Sequence, residues 1–269
     1  MIWREENQAL LAGLVERRPL GLVSDMDGTL SLIAPTPDAA TVTPRARALL
    51  AALAERLALV ALVSGRAAAD LRARAGLASL VYVGNHGVER WENEQVRVRP
   101  EAARYQPALV AALAELQPQL LPGMLLEDKG VTASLHYRQA ADPDAVHRAM
   151  KPVVDRVSAA HGLRASEGRM IFEIRPPVEI DKGTAFRELV AEYGLAAAVF
   201  LGDDTTDADA LRAARALRAS GDCYAVAVGV DAPGTPDVVR ASSDFLVPGV
   251  EGVEDFLAWL LDALSASET

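Results

Sequence analysis

Leu22-Val-Ser-Asp-Met-Asp-Gly-Thr-Leu30 gives the first indication of the fold of this 269-residue chain. It joins a short apolar run to two carboxylates one residue apart and then to a glycine. In open α/β sheets the reactive groups lie beyond the carboxyl ends of the strands, and here one acid could face a phosphorus atom while the other points toward a leaving oxygen. Asp-Gly-Thr is also good turn chemistry, so this pair alone leaves both interpretations open.

Outward from this stretch, helical patterns alternate with short β-rich runs. Helices are predicted at residues 5–17, 44–56, 67–75, 182–193, 205–217 and 253–264. Strands are predicted at residues 20–24, 59–64, 80–83, 198–202 and 223–228. This βα rhythm at both ends of the chain is typical of one parallel sheet covered by helices.

The middle of the chain has a different pattern. Strand candidates lie at residues 96–99, 124–128, 131–137, 164–166 and 170–174, around helical stretches at 102–116 and 143–161. Hairpins of this kind imply an antiparallel sheet, and residues 131–137 alternate apolar and polar side chains. The sequence therefore predicts a doubly wound, mostly parallel, Rossmann-like α/β core of residues 1–101 and 176–269, with an inserted α+β cap domain, or lid, of residues 102–175.

The composition excludes several classes of protein. Apolar residues make up 51% and charged residues 24%, which supports a substantial core and argues against disorder. The charge balance of 27 − 37 = −10 argues against nucleic acid or an anionic membrane surface as the main partner. Residues 57–63, the longest apolar run, fall far short of the roughly 20 residues that span a bilayer. With a charged N-terminal segment and a lone cysteine, Cys223, the chain is expected in the cytoplasm.

Two basic motifs accompany the aspartate pair. Ser64-Gly65-Arg66 follows the second predicted strand and offers a hydroxyl and backbone N–H groups at a helix start, which suits phosphate. An N-cap serine before a flexible glycine would explain it equally well. Lys182 opens a helix, where a cation opposes the macrodipole by about 0.3 to 1 kcal/mol. It is therefore either a solvated surface lysine or the neighbour of an anion.

A cluster of acids follows the strand predicted at residues 198–202. Asp203, Asp204 and Asp207 lie within five residues of one another, and a divalent cation would relieve their repulsion. Mg²⁺ prefers oxygen ligands and keeps several waters, so carboxylates, a backbone carbonyl, phosphate and water would suit it. Helix capping explains Asp204 or Asp207 but does not readily explain the whole cluster.

These four motifs, in this order at strand ends, resemble the haloacid dehalogenase superfamily of phosphotransferases. The resemblance implies that Asp25 is the nucleophile and Asp27 the general acid and base. It also implies that Ser64 and Lys182 clamp the phosphate.

The same resemblance implies a Mg²⁺ cofactor. Its ligands would be Asp25, the backbone carbonyl of Asp27, and Asp203, with Asp204 and Asp207 in support.

Further stretches resemble the trehalose-6-phosphate phosphatases over roughly residues 20–264. They are Gly84-Asn-His-Gly-Val-Glu89, Leu126-Glu-Asp-Lys-Gly-Val-Thr132, Leu135-His-Tyr-Arg138 and Phe172-Glu-Ile-Arg-Pro-Pro177. Substrate contacts are then expected from eight residues: Gly65, Arg66, Asn85, His86, Glu127, Lys129, Arg138 and Glu173.

Two features bear on how a sugar would fit. Glu127 and Lys129, two apart on a predicted strand, would project from one face and offer an acceptor and a donor to hydroxyl groups. A surface salt bridge would explain the same pair. The chain also has Gly168-Arg169 where the family usually has Gly-Lys, and the planar guanidinium of Arg169 differs from the point charge of a lysine.

The resemblance implies Mg²⁺-dependent hydrolysis of trehalose 6-phosphate through an aspartyl-phosphate. It leaves open a functional coupling to a trehalose-6-phosphate synthase. The alternatives are a related phosphatase for sucrose 6-phosphate or for glucosyl- or mannosyl-3-phosphoglycerate, and a phosphomannomutase-like enzyme. A non-catalytic regulatory module that binds a sugar phosphate is a further alternative, but such a module would be expected to lack Asp25 or Asp27.

Overall fold

The computed structural model describes residues 2–34, 39–168 and 170–266. The chain divides into two compact units: a core unit, Met1–Val96 with Ile180–Thr269, and an inserted unit, Arg97–Glu179. The inserted unit is wider at both ends than the cap predicted at residues 102–175. Those sequence-based domain limits stay a prediction.

The described residues form twelve strands and eleven α-helices. The strands are β1 (Leu20–Ser24), β2 (Leu59–Val63), β3 (Val81–Gly84), β4 (Glu89–Glu92), β5 (Gln95–Val98), β6 (Leu125–Asp128), β7 (Ala133–His136), β8 (Arg164–Gly168), β9 (Ile171–Arg175), β10 (Ala197–Gly202), β11 (Tyr224–Asp231) and β12 (Phe245–Pro248). The helices are α1 (Ile2–Glu6), α2 (Gln8–Val15), α3 (Pro44–Ala54), α4 (Ala68–Ala75), α5 (Pro100–Ala103), α6 (Gln106–Leu116), α7 (Pro143–Ala160), α8 (Lys182–Glu192), α9 (Asp207–Ser220), α10 (Asp237–Ser242) and α11 (Gly249–Ala266).

The central sheet has the order β12-β11-β10-β1-β2-β3-β4-β5 and is parallel from β12 to β3. The chain moves outward from β1 to β3 and later resumes on the other side at β10, so β1 and β10 flank the topological switch point of the sheet. Ligands in such sheets bind beyond the carboxyl ends of the strands at this point. Ser24 at the end of β1 pairs with Leu201 of β10, so the loops that follow these two strands leave the sheet side by side.

Helices cover both faces of this sheet. In β1, Leu22 belongs to the apolar cluster packed against α2, α3 and α11, whereas Val23 belongs to the cluster packed against α8 and α9. In β10, Val199 and Phe200 divide in the same way, and all four residues are fully buried. Strands that are apolar on both faces are the mark of a buried parallel sheet, and the predicted doubly wound α/β core is confirmed.

The inserted unit is built on an antiparallel sheet with the order β6-β7-β9-β8. One face of this sheet, which includes Leu135 and Phe172, forms an apolar cluster with Leu113 of α6 and Val154 of α7. The α+β character predicted for the middle of the chain is therefore confirmed.

The structure corrects several predicted elements. Residues 96–99 were predicted among the strands of the middle segment, but β5 lies at the edge of the central sheet. The single helix predicted at residues 102–116 is two helices, because Pro107 at the start of α6 has no N–H to continue the hydrogen-bonding of α5. The short strands β4 and β12 were not predicted.

None of the described helices combines the length and the apolar character that a transmembrane segment needs.

Candidate active site

Asp25 and Asp203 follow β1 and β10, the two strands at the switch point. The backbone N–H of Asp25 donates to the carbonyl of Leu201 at 2.9 Å, which extends the pairing of the strands by one residue. Gly28 has φ of +86°, and a Cβ there would lie 2.2 Å from Oδ2 of Asp203. Gly28 therefore has two effects: it allows the left-handed turn, and it leaves room for the Asp203 carboxylate.

Lys182, the first residue of α8, is buried between two carboxylates. Its Nζ lies 2.7 Å from Oδ1 of Asp25 and 2.7 Å from Oδ1 of Asp207. Burial acts to lower the pKa of Lys182, but the charges of Asp207 and Asp25 outweigh it and raise the pKa. The lysine is therefore a permanent cation at the site, and the solvated surface lysine considered from sequence is excluded.

The electrostatic surroundings of Asp25 remain strongly anionic. Burial raises the pKa of its carboxyl well above the usual value. Lys182 acts in the opposite direction, while the charges of Asp207, Asp203 and Asp27 add to the increase. One ammonium group thus faces several carboxylates, and the site as a whole attracts further positive charge.

Three buried carboxylates lie close enough together to share one metal ion. Oxygens of Asp25, Asp203 and Asp207 all lie within 4.8 Å of one another, and within the described ranges no other such group of His, Cys, Asp and Glu side chains is found. An all-oxygen donor set suits a hard cation. The identity of the metal and the exact ligands stay predictions.

Asp207 has structural contacts through both of its oxygens. Besides the contact of Oδ1 with Lys182, its Oδ2 accepts hydrogen bonds from the backbone N–H groups of Asp203 at 3.1 Å and Asp204 at 3.0 Å. The Asp204 carboxylate accepts instead from the N–H of Thr205 at 2.7 Å. Asp207 therefore orders the loop that carries Asp203.

Arg66 forms a two-pronged ion pair with Asp27. Its Nε donates to Oδ2 at 2.6 Å and its Nη2 donates to Oδ1 at 2.8 Å. Nη1 donates to Asp70 at 2.9 Å. Burial acts to lower the pKa of Arg66, but the hydrogen bonds and charges of Asp27 and Asp70 raise it. The described geometry thus places this expected substrate contact against the expected general acid and base.

The loops after β2 and β3 pack closely together. The Ser64 hydroxyl accepts from the N–H of Arg66 at 3.2 Å, and the Ser64 carbonyl accepts from the N–H of His86 at 3.0 Å. Ser64 is not the helix N-cap considered from sequence, because Ala67 holds that position before α4. Asn85 and His86 have positive φ values of 49° and 59° and are buried. A Cβ on Gly65 would lie 2.6 Å from the His86 ring, so glycine is required there.

In the inserted unit, Glu127, Ser134 and Glu173 occupy directly paired positions on β6, β7 and β9. Paired residues of neighbouring strands lie on the same face, so the two glutamates expected to bind sugar share the face away from the helices. His136 is on this face as well, and its Nε2 lies 2.7 Å from Oε2 of Glu127.

The remaining predicted sugar contacts lie outside the strands. Lys129 was predicted on a strand, but β6 ends at Asp128, and the N–H of Lys129 donates to the carbonyl of Thr132 at 3.0 Å in the turn that follows. Arg138 comes two residues after the end of β7. Arg169 lies outside the described residues.

Sequence reasoning missed Asp70, Arg74 and His136. Asp70 accepts from Arg66 and also from Nε of Arg74 at 2.7 Å. The i,i+4 spacing from Arg66 to Asp70 to Arg74 was the available signal for an ion-paired helix face.

Comparison with known proteins points to one family. The model of the family described as trehalose-phosphatase matches residues 23–240. A trehalose-phosphate phosphatase of Mycobacterium marinum is 39% identical over 209 residues, covering 75% of this chain and 53% of that protein. The chain spans about half the length of the curated relatives it matches.

Solved structures share the fold at low sequence identity. The C-terminal domain of the Candida albicans trehalose-6-phosphate phosphatase matches with a TM-score of 0.77 and 22% identity, over 95% of this chain and 96% of that one. The C-terminal domain of the Candida albicans trehalose synthase regulatory protein matches with a TM-score of 0.68 and 13% identity, over 96% and 97%. At these identities the likeness shows the fold alone.

Replacing Lys182 by methionine tests the buried ion pair. The change keeps the length of the side chain but leaves two buried carboxylates without their cation, and we expect the free energy of unfolding to fall by about 3 to 5 kcal/mol. Urea unfolding followed by fluorescence measures it, since Trp3, Trp91 and Trp259 all lie in the core unit.

The matched control is Arg212→Met, which removes an exposed ion pair with Asp209 on α9. That loss should stay within about 1 kcal/mol. Equal losses for the two variants would contradict a special role for the buried lysine.

Proposed function

The chain belongs to the trehalose-phosphatase family, and from that premise we propose that it hydrolyses trehalose 6-phosphate to trehalose and inorganic phosphate. The observation that carries the proposal is the buried cluster of Asp25, Lys182 and Asp203 at the switch point of the sheet. We propose further that the reaction depends on Mg²⁺ and passes through a phosphoryl group on Asp25.

In the first half of the proposed reaction, Asp25 and Asp27 act together. A carboxylate oxygen of Asp25 attacks phosphorus, and the bond from phosphorus to the sugar oxygen breaks as Asp27 gives that oxygen a proton. In the second half, water attacks the same phosphorus and releases Asp25. Covalent catalysis of this kind divides one difficult displacement into two easier ones. The positions of the two aspartates directly after β1 support these roles.

Positive charge has to offset the approach of a phosphate dianion to several carboxylates. Each pair of unit charges at 4 Å costs about 4 kcal/mol at an effective dielectric constant of 20. Lys182 is held at Asp25 by a contact of 2.7 Å. We propose that the Ser64 hydroxyl and the backbone at Gly65 would supply further donors to the phosphate. Donors fixed in advance stabilise the charge that develops on the phosphoryl oxygens.

The residues present fit a magnesium ion. Asp25 and Asp203 would hold it with the backbone carbonyl of Asp27, and the missing side chain of Gly28 keeps the space beside Asp203 open. When bound, Mg²⁺ supplies charge neutralisation and polarises phosphoryl oxygens. Asp207 would contribute by fixing the loop of Asp203, and Asp204 by its place in that loop.

We propose that the polar face of the inserted unit binds the sugar hydroxyls. Glu127 on β6 and Glu173 on β9 are both paired with Ser134 of the intervening strand β7, and the hydrogen bond from His136 orients Glu127. Lys129 and Arg138 would add donors. Acceptors and donors fixed on a sheet are suited to the many hydroxyl groups of a disaccharide.

Asn85 and His86 are proposed substrate contacts from the core unit. Gly65 would bind through its backbone, whereas Arg66, held by two carboxylates, is better placed to act on Asp27 than on substrate.

A non-catalytic regulatory module is the rival from another class, because one fold neighbour carries a regulatory name. The presence of both Asp25 and Asp27, with a buried lysine on the first, favours catalysis. A functional coupling to a trehalose-6-phosphate synthase stays a proposal.

A phosphate-release panel tests the proposed function. Trehalose 6-phosphate, sucrose 6-phosphate, glucosyl-3-phosphoglycerate and glucose 6-phosphate are each supplied with Mg²⁺ and with chelator. We expect kcat/KM to be at least about tenfold higher for trehalose 6-phosphate than for the others, a difference of about 1.4 kcal/mol in transition-state binding. Release should stop with chelator. If another ester is preferred, that ester and not trehalose 6-phosphate is the substrate. Tight binding of trehalose 6-phosphate without phosphate release would favour the regulatory module.

Asp25→Asn is expected to lower phosphate release by at least about 10³-fold, because an amide cannot form the phosphoryl intermediate. Thermal unfolding shows whether the variant keeps its fold. Asp209→Asn, on an exposed carboxylate of α9, serves as the control and should retain activity. Near-normal release from Asp25→Asn would exclude the assigned nucleophile.

Glu127→Ala is expected to separate sugar binding from phosphate chemistry. We expect KM for trehalose 6-phosphate to rise about ten- to hundredfold, the worth of a hydrogen bond to a charged group. Hydrolysis of 4-nitrophenyl phosphate should change little, since this ester has no sugar. The control Glu167→Ala removes a glutamate on the helix-packed face of the same sheet, where it bonds His147. Equal losses on both esters would count against a sugar-binding face.

A further inference from the structure

A chain of ion pairs connects Asp27 to the helix α4. Arg66 donates hydrogen bonds to both carboxylate oxygens of Asp27, at 2.6 and 2.8 Å. Its Nη1 donates to Oδ2 of Asp70 at 2.9 Å. Arg74 in turn holds both oxygens of Asp70, at 2.7 and 2.9 Å, and donates to the carbonyl of Ala40 at 3.0 Å. Asp70 is thus shared between the guanidinium groups of Arg66 and Arg74, each four residues away from it in sequence.

This arrangement leaves Asp27 little freedom. A planar guanidinium that forms two parallel bonds fixes both the position and the rotation of a carboxylate. The Arg66 side chain is only 9% exposed and is bound at both ends, so it cannot follow Asp27 into another rotamer without breaking its bond to Asp70. Side chains on a flexible turn gain the precision of a helix when they are braced in this way.

We propose that Asp70 is a positioning residue: through Arg66 it fixes the Asp27 carboxylate for hydrolysis of the aspartyl-phosphate. The proposal rests on the function proposed above, and it gives a role to a residue outside all four sequence motifs. Arg66 is then also a positioning residue, rather than the substrate contact expected from sequence.

The step at issue is the second half of the reaction. A water oxygen forms a bond to phosphorus, and the bond from phosphorus to the Asp25 oxygen breaks with its electron pair, which restores the carboxylate. One proton of the water passes to Asp27, and the other stays on the inorganic phosphate. This step needs Asp27 as a carboxylate, the form left once it has given its proton to the leaving oxygen in the first half.

An aryl phosphate ester allows the second half of the reaction, hydrolysis of the aspartyl-phosphate, to be measured separately from the first. With 4-nitrophenyl phosphate, the bond to the leaving oxygen breaks to give nitrophenolate, which departs with the electron pair and needs no proton from Asp27. The first half then depends on Asp25 and the phosphate site, whereas the second still needs a correctly placed Asp27. A misplacement of about 1 Å can cost on the order of 100-fold in rate.

The test is Asp70→Asn, which keeps the size of the side chain but weakens its hold on two guanidinium groups. Rapid-quench experiments with 4-nitrophenyl phosphate and Mg²⁺ measure the nitrophenolate burst, and mass spectrometry measures the acid-quenched phosphoenzyme. We expect the burst rate to stay within about twofold, dephosphorylation to slow about 10- to 100-fold, and phosphoenzyme to accumulate. The control Asp155→Asn, on an exposed pair with Lys151, should match the wild type.

Two further variants separate positioning from structure. In an Asp27→Asn background, Asp70→Asn should cause no additional loss of dephosphorylation, because Asp70 acts only through Asp27. Arg66→Lys, which keeps the charge but not the fork, should also accumulate phosphoenzyme, and it decides the matter if Asp70→Asn does not fold.

Several results would overturn the proposal. They are wild-type dephosphorylation in Asp70→Asn or in Arg66→Lys, an equal fall in burst and dephosphorylation, and an additive loss in the Asp27→Asn background. Failure of the wild-type protein to form any phosphoenzyme or release nitrophenolate would instead refute the proposed mechanism itself, and so the two failures are distinguishable.

Discussion

The ammonium group of Lys182, buried between the carboxylates of Asp25 and Asp207, is the interaction on which the site depends. Removing charges from water costs several kcal/mol per ion, and only the mutual attraction of well-placed partners offsets this cost. The three residues come from the start of α8, the end of β1 and the start of α9. Their contact therefore fixes three distant parts of the chain at one edge of the sheet.

A second positive charge is needed for this arrangement to work as a catalyst. Lys182 contacts Asp25 and Asp207, and Asp203 lies beside them. Burial raises the pKa of the Asp25 carboxyl, although the proposed nucleophile must be ionised. A divalent cation on Asp25 and Asp203 would favour the ionised form. The same charge would reduce the repulsion between the carboxylates and a phosphate dianion. Binding of the metal would therefore favour binding of the substrate.

The placement of Asp25, Ser64 and Asp203 at one edge of the sheet was predictable from sequence, because their motifs directly follow strands. A parallel sheet brings such ends together whatever their separation along the chain, and the α/β core and the antiparallel insert are both confirmed. The partners of Arg66 could not be predicted, since a guanidinium beside a phosphate site can face the ligand or a neighbouring acid. Strand β4, which lies between β3 and the edge strand β5, and the turn at Lys129 were also missed, because their sequences carry no clear period.

The proposed chemistry depends on a divalent cation held by Asp25 and Asp203 beside Lys182. Anomalous diffraction from crystals grown with Mn²⁺ in place of Mg²⁺ would locate such an ion directly. We expect one strong anomalous peak in contact with a carboxylate oxygen of each aspartate, and its loss in Asp203→Ala. A peak elsewhere in the molecule, or none at saturating Mn²⁺, would show that Asp25 and Asp203 do not form the metal site.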